Sequence, residues 1–263
     1  MISLVAAVVC FGLLGATGTF DNGAVTLGGS FVGFVVCMFV LNRIWRTGGL
    51  EERARRTDSP IVIQEVLKFL DLRDSPPDRP GAFGKLSDYY FVKRTTNFSQ
   101  LRFHYASTGN IEFIGSPTHP QSAKAARVQV AHTGANQENF KEELQLDIDL
   151  SNVAQGESVP VLSQITYSNA FTGADGDSLE THVDYVTGRL TMVLLMPADA
   201  YCTSAIGTLQ IGRGEFAPVN DGSPVIMENG AVIYWSVGEP KHGARYAIQW
   251  KWSRRTSSSP LHA

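Results

Sequence analysis

Cysteine is scarce: the 263 residues hold three, Cys10, Cys37 and Cys202. Two of them fall in strongly apolar runs, so only Cys202 serves the rest of the chain and no disulfide framework is available. A reducing compartment suits residues 57–263. A basic surplus is also missing from that part. It carries seventeen Lys and Arg against twenty-two Asp and Glu, a net of −5. Binding to a nucleic-acid polymer needs a basic face, so that partner is excluded. No HExxH, GxSxG or Walker sequence occurs, and the six histidines show no ligand spacing. Neither a bound metal nor a cofactor is expected. Alternation of helices with strands is absent too, which argues against a doubly wound fold.

Charge itself is absent from two stretches. Ile2–Phe20 (ISLVAAVVCFGLLGATGTF) has none, and neither has Ala24–Leu41. Nineteen residues at ~1.5 Å rise span about 28 Å, close to the hydrocarbon thickness of a bilayer. Asp21, Asn22 and Gly23 make a turn between the two runs. No Lys or Arg precedes the first run, so it does not read as a cleaved leader. The expectation is a transmembrane α-hairpin over residues 1–46.

The stretch NRIWRTGGLEERARR, Asn42–Arg56, follows the second run with five arginines and no lysine. Cytoplasmic flanks of spans are enriched in basic residues. Arg43, Arg46, Arg53, Arg55 and Arg56 therefore put both termini in the cytoplasm, at the inner (plasma) membrane, with the lipid bilayer as partner. Trp45 suits the interface. Gly29, Gly33 and Cys37 recur every four residues, as do Gly12 and Ala16. Small residues at that spacing permit close helix packing and give a seam for a homo-oligomer.

Residues 47–84 read as a linker: the basic segment, a short amphipathic helix over Ser59–Leu72, and the breaker DSPPDRPGAFG (Asp74–Gly84). Ser59 would cap that helix and Pro60 would open it. Ile63, Leu67 and Leu70 would share one face.

Residues 85–253 alternate. ELQLDIDL puts Leu144, Leu146, Ile148 and Leu150 on one face, and RYAIQWKW does the same with Tyr246, Ile248, Trp250 and Trp252. Turn signals such as TGADGDS, NDGSP and EPKHG separate such runs. A mainly-β cytoplasmic domain follows, an antiparallel β-sandwich or barrel. Residues 254–263 form a polar tail.

Four side chains are candidates for a ligand pocket: Arg213, Trp235, Arg245 and Tyr246, cations beside aromatic faces. The competing reading gives the aromatics to the core. GRGEFA (Gly212–Ala217) fits a dinucleotide pattern only if a helix follows, and Pro218, Asn220 and Gly222 make it a strand-edge turn instead. Asp175, Asp177, Glu180, His182 and Asp184 lie close in sequence, but without the order of a calcium loop. Cys202 with a histidine would make a nucleophile, but a small buried apolar group is the commoner role.

The order of parts, Ile2–Phe20, Ala24–Trp45 and then strands after Leu86, resembles the two-transmembrane, β-rich effectors of bacterial cyclic-oligonucleotide antiphage signalling. That resemblance implies a nucleotide-sensing β-domain and helices that perturb the membrane. No binding residues are carried over from it. The expected function is a non-enzymatic membrane-anchored sensor or effector for a small, cyclic-nucleotide-type ligand. The alternatives are a membrane-anchored scaffold or protein-interaction domain, and a membrane-bound hydrolase.

Overall fold

The computed structural model describes residues 50, 53–54, 59–76, 79–96, 99–119, 121, 123–128, 142–173, 176–212, 214–219 and 222–254. The chain divides into two units, 1–52 and 53–263. The expected hairpin, with Gly12, Ala16, Gly29, Gly33 and Cys37, lies outside the described residues. So do Arg43, Trp45, Arg46, Arg55 and Arg56. Among the described residues no helix is long and apolar enough to cross a membrane.

The second unit is mainly β. Its largest sheet contains β1 (Ile61–Asp71), β2 (Phe83–Arg94), β4 (Asn110–Gly115), β7 (Ser158–Ser168), β9 (Val186–Thr187), β10 (Arg189–Leu195), β13 (Val225–Met227) and β14 (Val232–Gly238). The order is β13-β14-β10-β1-β2-β7-β4, with β9 continuing beside β1. A second sheet runs β12 (Ala217–Pro218), β11 (Ala200–Ile211), β15 (Ala244–Arg254) and β8 (Gly176–His182). A third runs β3 (Gln100–Ser107), β6 (Glu142–Asp149) and β5 (Ala123–Val128). Both smaller sheets pack on one face of the large sheet. Tyr90 of β2 stacks on Phe103 of β3 at 4.1 Å, and Trp235 of β14 meets Tyr246 of β15 at 6.1 Å.

Two expectations need correction. Ser59–Leu72 is not a helix, because Ile61–Asp71 is the central strand of the large sheet. IVIQEVLKFLD is apolar on both faces, and such a run also satisfies helical spacing. Ser59 therefore caps no helix, and its Oγ donates to the Ile61 carbonyl at 2.6 Å. The architecture is also not purely antiparallel. β1 pairs with β10 and β9 in parallel, from Val66↔Leu190 to Asp71↔Leu195 and at Val62↔Val186.

The clearest alternations hold. Leu144, Leu146 and Ile148 of β6 are buried, as are Tyr246, Ile248, Trp250 and Trp252 of β15. One close approach fixes where β11 lies: a Cβ on Gly207 would sit 2.5 Å from Cζ2 of the buried Trp235. Gly207→Ala is therefore expected to destabilise by about 1–3 kcal/mol, the cost of overpacking, read as a lower urea midpoint with an unchanged slope.

Candidate functional site

Of the predicted pocket residues, Trp235 and Tyr246 meet in the core, and Arg245 points away from them. Neighbouring residues of a strand point to opposite faces, so on β15 Tyr246 turns inward while Arg245 is exposed. Trp235 and Tyr246 are both core, and each is satisfied by backbone. Trp235 Nε1 donates to the Gly222 carbonyl at 2.6 Å, and the Tyr246 hydroxyl accepts from the Lys241 N–H at 2.9 Å. Arg213 lies outside the described residues. Arg53 reaches Glu239 at 3.5 Å and the Pro240 carbonyl at 3.4 Å. Cys202 is buried, its Sγ donates to the Ser204 carbonyl at 3.2 Å, and burial pushes its thiol pKa up. It is a packed thiol rather than an available thiolate.

The acidic stretch is brought together in part. His182 closes β8, and its Nδ1 makes a short hydrogen bond to Asp184 Oδ1. Its Nε2 faces the Gly243 carbonyl at 3.3 Å, and His242 Nε2 faces the Asp184 carbonyl at 2.9 Å. The two histidines thus pin residues 182–184 to the turn before β15. Asp177 instead accepts from the Ser178 and Gly173 N–H groups, and Asp175 lies outside the described residues. Among the described residues no three His, Cys, Asp or Glu side chains gather as a metal site requires. Beneath residues 181–187 is a cleft floored by Tyr90, Phe103 and Leu190, with a volume of ≈ 20 Å³. That is room for about one water molecule.

Sequence reasoning missed a buried polar network at the centre of the fold. β1 and β2 place Lys68 directly opposite Asp88, both facing the core. Lys68 Nζ donates to Asp88 Oδ2 at 2.5 Å, and the Tyr90 hydroxyl donates to the same oxygen at 3.0 Å. Asp88 is fully buried, and its Oδ1 has no hydrogen-bond partner among the described residues. Tyr105 places its ring 5.3 Å from Lys68 Nζ and its hydroxyl 3.2 Å from Ser163 Oγ. Burial, reinforced by the Asp88 charge, holds the Tyr90 and Tyr105 phenols well above their ordinary pKa. The signal in the sequence was Asp88 itself, an acid in the inward row Leu86, Tyr90, Val92.

The second missed feature is on the surface. Among the described residues, four of the five exposed large hydrophobics lie on β11 and β13: Ile206 at 52%, Ile211 at 58%, Val225 at 51% and Ile226 at 38%. The fifth is Ile114 of β4, at the other end of the large sheet. β13 lies beside β11, and β12 is paired to it. β11 and β13, which approach one another, thus carry most of the exposed large apolar side chains among the described residues, and β13 and β12 are the terminal strands of their two sheets.

No protein-family model matches the chain, and no curated protein matches it. Solved structures overlap weakly. An M1 zinc metallopeptidase from Deinococcus radiodurans superposes with a TM-score of 0.34 at 10% identity, over 72% of this chain and 42% of that one. Yeast LTA4 hydrolase in complex with bestatin gives 0.37 at 9% identity, over 72% and 28%. The chain thus spans less than half the length of either protein. Overlap at this level defines neither a family nor an activity for this chain.

Proposed function

We propose that this chain is a membrane-anchored protein-interaction domain. In this reading residues 1–46 tether the β-domain to a bilayer, the arginines from Arg43 to Arg56 hold its cytoplasmic flank, and the β11–β13 border docks a protein. The observation that carries it is that Ile206 and Ile211 on β11 and Val225 and Ile226 on β13 are exposed on two strands that approach one another. Grouped exposed apolar side chains mark interaction surfaces, whereas single ones do not.

Site-specific photo-crosslinking in membranes tests it. A photoreactive residue at Ile206 or Val225 is expected to yield one protein adduct of defined mass, and the same residue at Ile114 none. Equal, diffuse labelling at all three positions would end the proposal. The ligand-sensor reading makes a different prediction. A compound at about one hundred times its dissociation constant adds ~2.7 kcal/mol. A panel of cyclic mono-, di- and trinucleotides is therefore expected to leave the melting temperature unchanged, and a shift with one compound would favour the sensor.

A further inference from the structure

We infer that β13 pairs with β13 of a second copy of this chain, antiparallel about a two-fold axis, joining two large sheets into one. This deepens the reading above by naming the partner, and it rests on that reading for the membrane tether.

A strand at a sheet edge offers unpaired N–H and C=O groups to any extended chain, and proteins blunt such edges with charges, prolines or bulges. The described terminal strands β12, β4, β5, β3 and β8 are blunted, and the two residues of β9 are buried. β12 ends in Pro218, which has no N–H to give. β4 carries Glu112 and a bulge between Phe113 and Gly115. β5 carries Lys124 and Arg127, β3 carries Arg102, and β8 carries Asp177 and Glu180. β13 is Val225, Ile226 and Met227, with no charge, no proline and an unbroken register to β14. β14 is its only hydrogen-bonded strand partner among the described residues, with β11 approaching it from the second sheet.

The occupant follows from the strand's own symmetry. In an antiparallel self-pairing centred on Ile226, Ile226 faces its own copy and Val225 faces Met227. Each cross-strand pair is then apolar on apolar, the favourable combination. Glu228, just beyond the strand, would fall opposite Pro224, so like charges do not meet. The contact is closed and isologous, which limits it to a dimer. Three residues a side are few, since a stable interface buries about 1,200 Å² or more. The pairing is therefore expected on a bilayer, where tethering raises the effective concentration.

Disulfide trapping of the full chain in lipid vesicles tests this, in a Cys10→Ser, Cys37→Ser background. Directly opposed residues of an antiparallel pair sit about 4.5–5.5 Å apart at Cα, within disulfide range. Ile226→Cys is expected to oxidise to a band at twice the chain mass, and Ile114→Cys is not. A mixture of Val225→Cys and Met227→Cys chains should crosslink while neither oxidises alone, which reads the register even if Ile226→Cys folds poorly. Adding Ile226→Lys to both chains puts like charges on the axis and should cut that yield about tenfold. If Ile226→Cys gives no more dimer than Ile114→Cys and the mixture stays monomeric, self-pairing is wrong. A photo-adduct at Val225 of some other mass would then leave the interaction-domain reading standing with a different partner. Loss of every adduct would sink both.

Discussion

Lys68→Met alone is expected to cost about 3–5 kcal/mol of stability, while Lys68→Met with Asp88→Leu is expected to cost nothing or to stabilise. The asymmetry follows from where the pair sits. Lys68 is 5% exposed and Asp88 0%. Taking both charges out of water is expensive, and their 2.5 Å contact offsets that cost. Removing only the ammonium leaves Asp88 with the Tyr90 hydroxyl as its one remaining partner from the network, and with Oδ1 already unpaired. Removing only the carboxylate strands Lys68 over the Tyr105 ring. Removing both replaces an imperfectly satisfied pair with side chains of similar volume, flanked by Val66 and Leu70 on β1 and by Leu86 and Tyr90 on β2. Urea unfolding of the two single variants and the double gives the coupling directly as a double-mutant cycle. Additive losses in the double variant would show that the pair is not the buried couple described.

The same two residues show why the fold was only partly legible. β6 was readable because one of its faces is buried and the other solvated, so Leu144, Leu146 and Ile148 alternate with Gln145, Asp147 and Asp149. β15 was readable for the same reason. β1 was not, because its outer face is also buried, at Glu65 and Phe69, and two buried faces erase the period of two. Its parallel pairing with β10 joins residues more than a hundred apart and leaves no local trace. The network was hidden by the misreading of β1: with Lys68 assigned to a helix, Asp88 had no strand partner to suggest. The aromatic cluster was visible as composition, but its role depended on facing. Tyr246 lies inward and Arg245 outward because they are adjacent on a strand, and the tight contact of Trp235 with Gly207 is a matter of tertiary packing. The β13 border was hidden differently. Val225–Met227 is three apolar residues between turn signals, and only the sheet order makes it a terminal strand with exposed side chains.

Alkaline pH is expected to unfold the domain cooperatively, with the tyrosines as its trigger. Tyr90, Tyr105 and Tyr167 are buried, and burial raises each phenol well above its ordinary value near 10, with the negative charge of Asp88 adding to the effect. A raised folded-state pKa means the folded chain keeps protons that the unfolded chain has released. The stability is therefore fully present below pH 10 and is lost as pH rises beyond it. Each such group contributes a slope of about 1.4 kcal/mol per pH unit, so the three together remove about 4 kcal/mol per unit. A domain of marginal stability, about 5–15 kcal/mol, has room for only a few units of that slope. Phenolate absorbance and the strand signal in circular dichroism should therefore change together, in one steep transition. Tyr167→Phe provides the control. It keeps the ring that meets Phe171 at 5.4 Å and removes one of the three protons. The transition should move to higher pH and become shallower by about a third, while stability at neutral pH changes little. If the phenols of the intact protein titrate near pH 10 with the fold retained, the buried network is more open to water than these contacts allow.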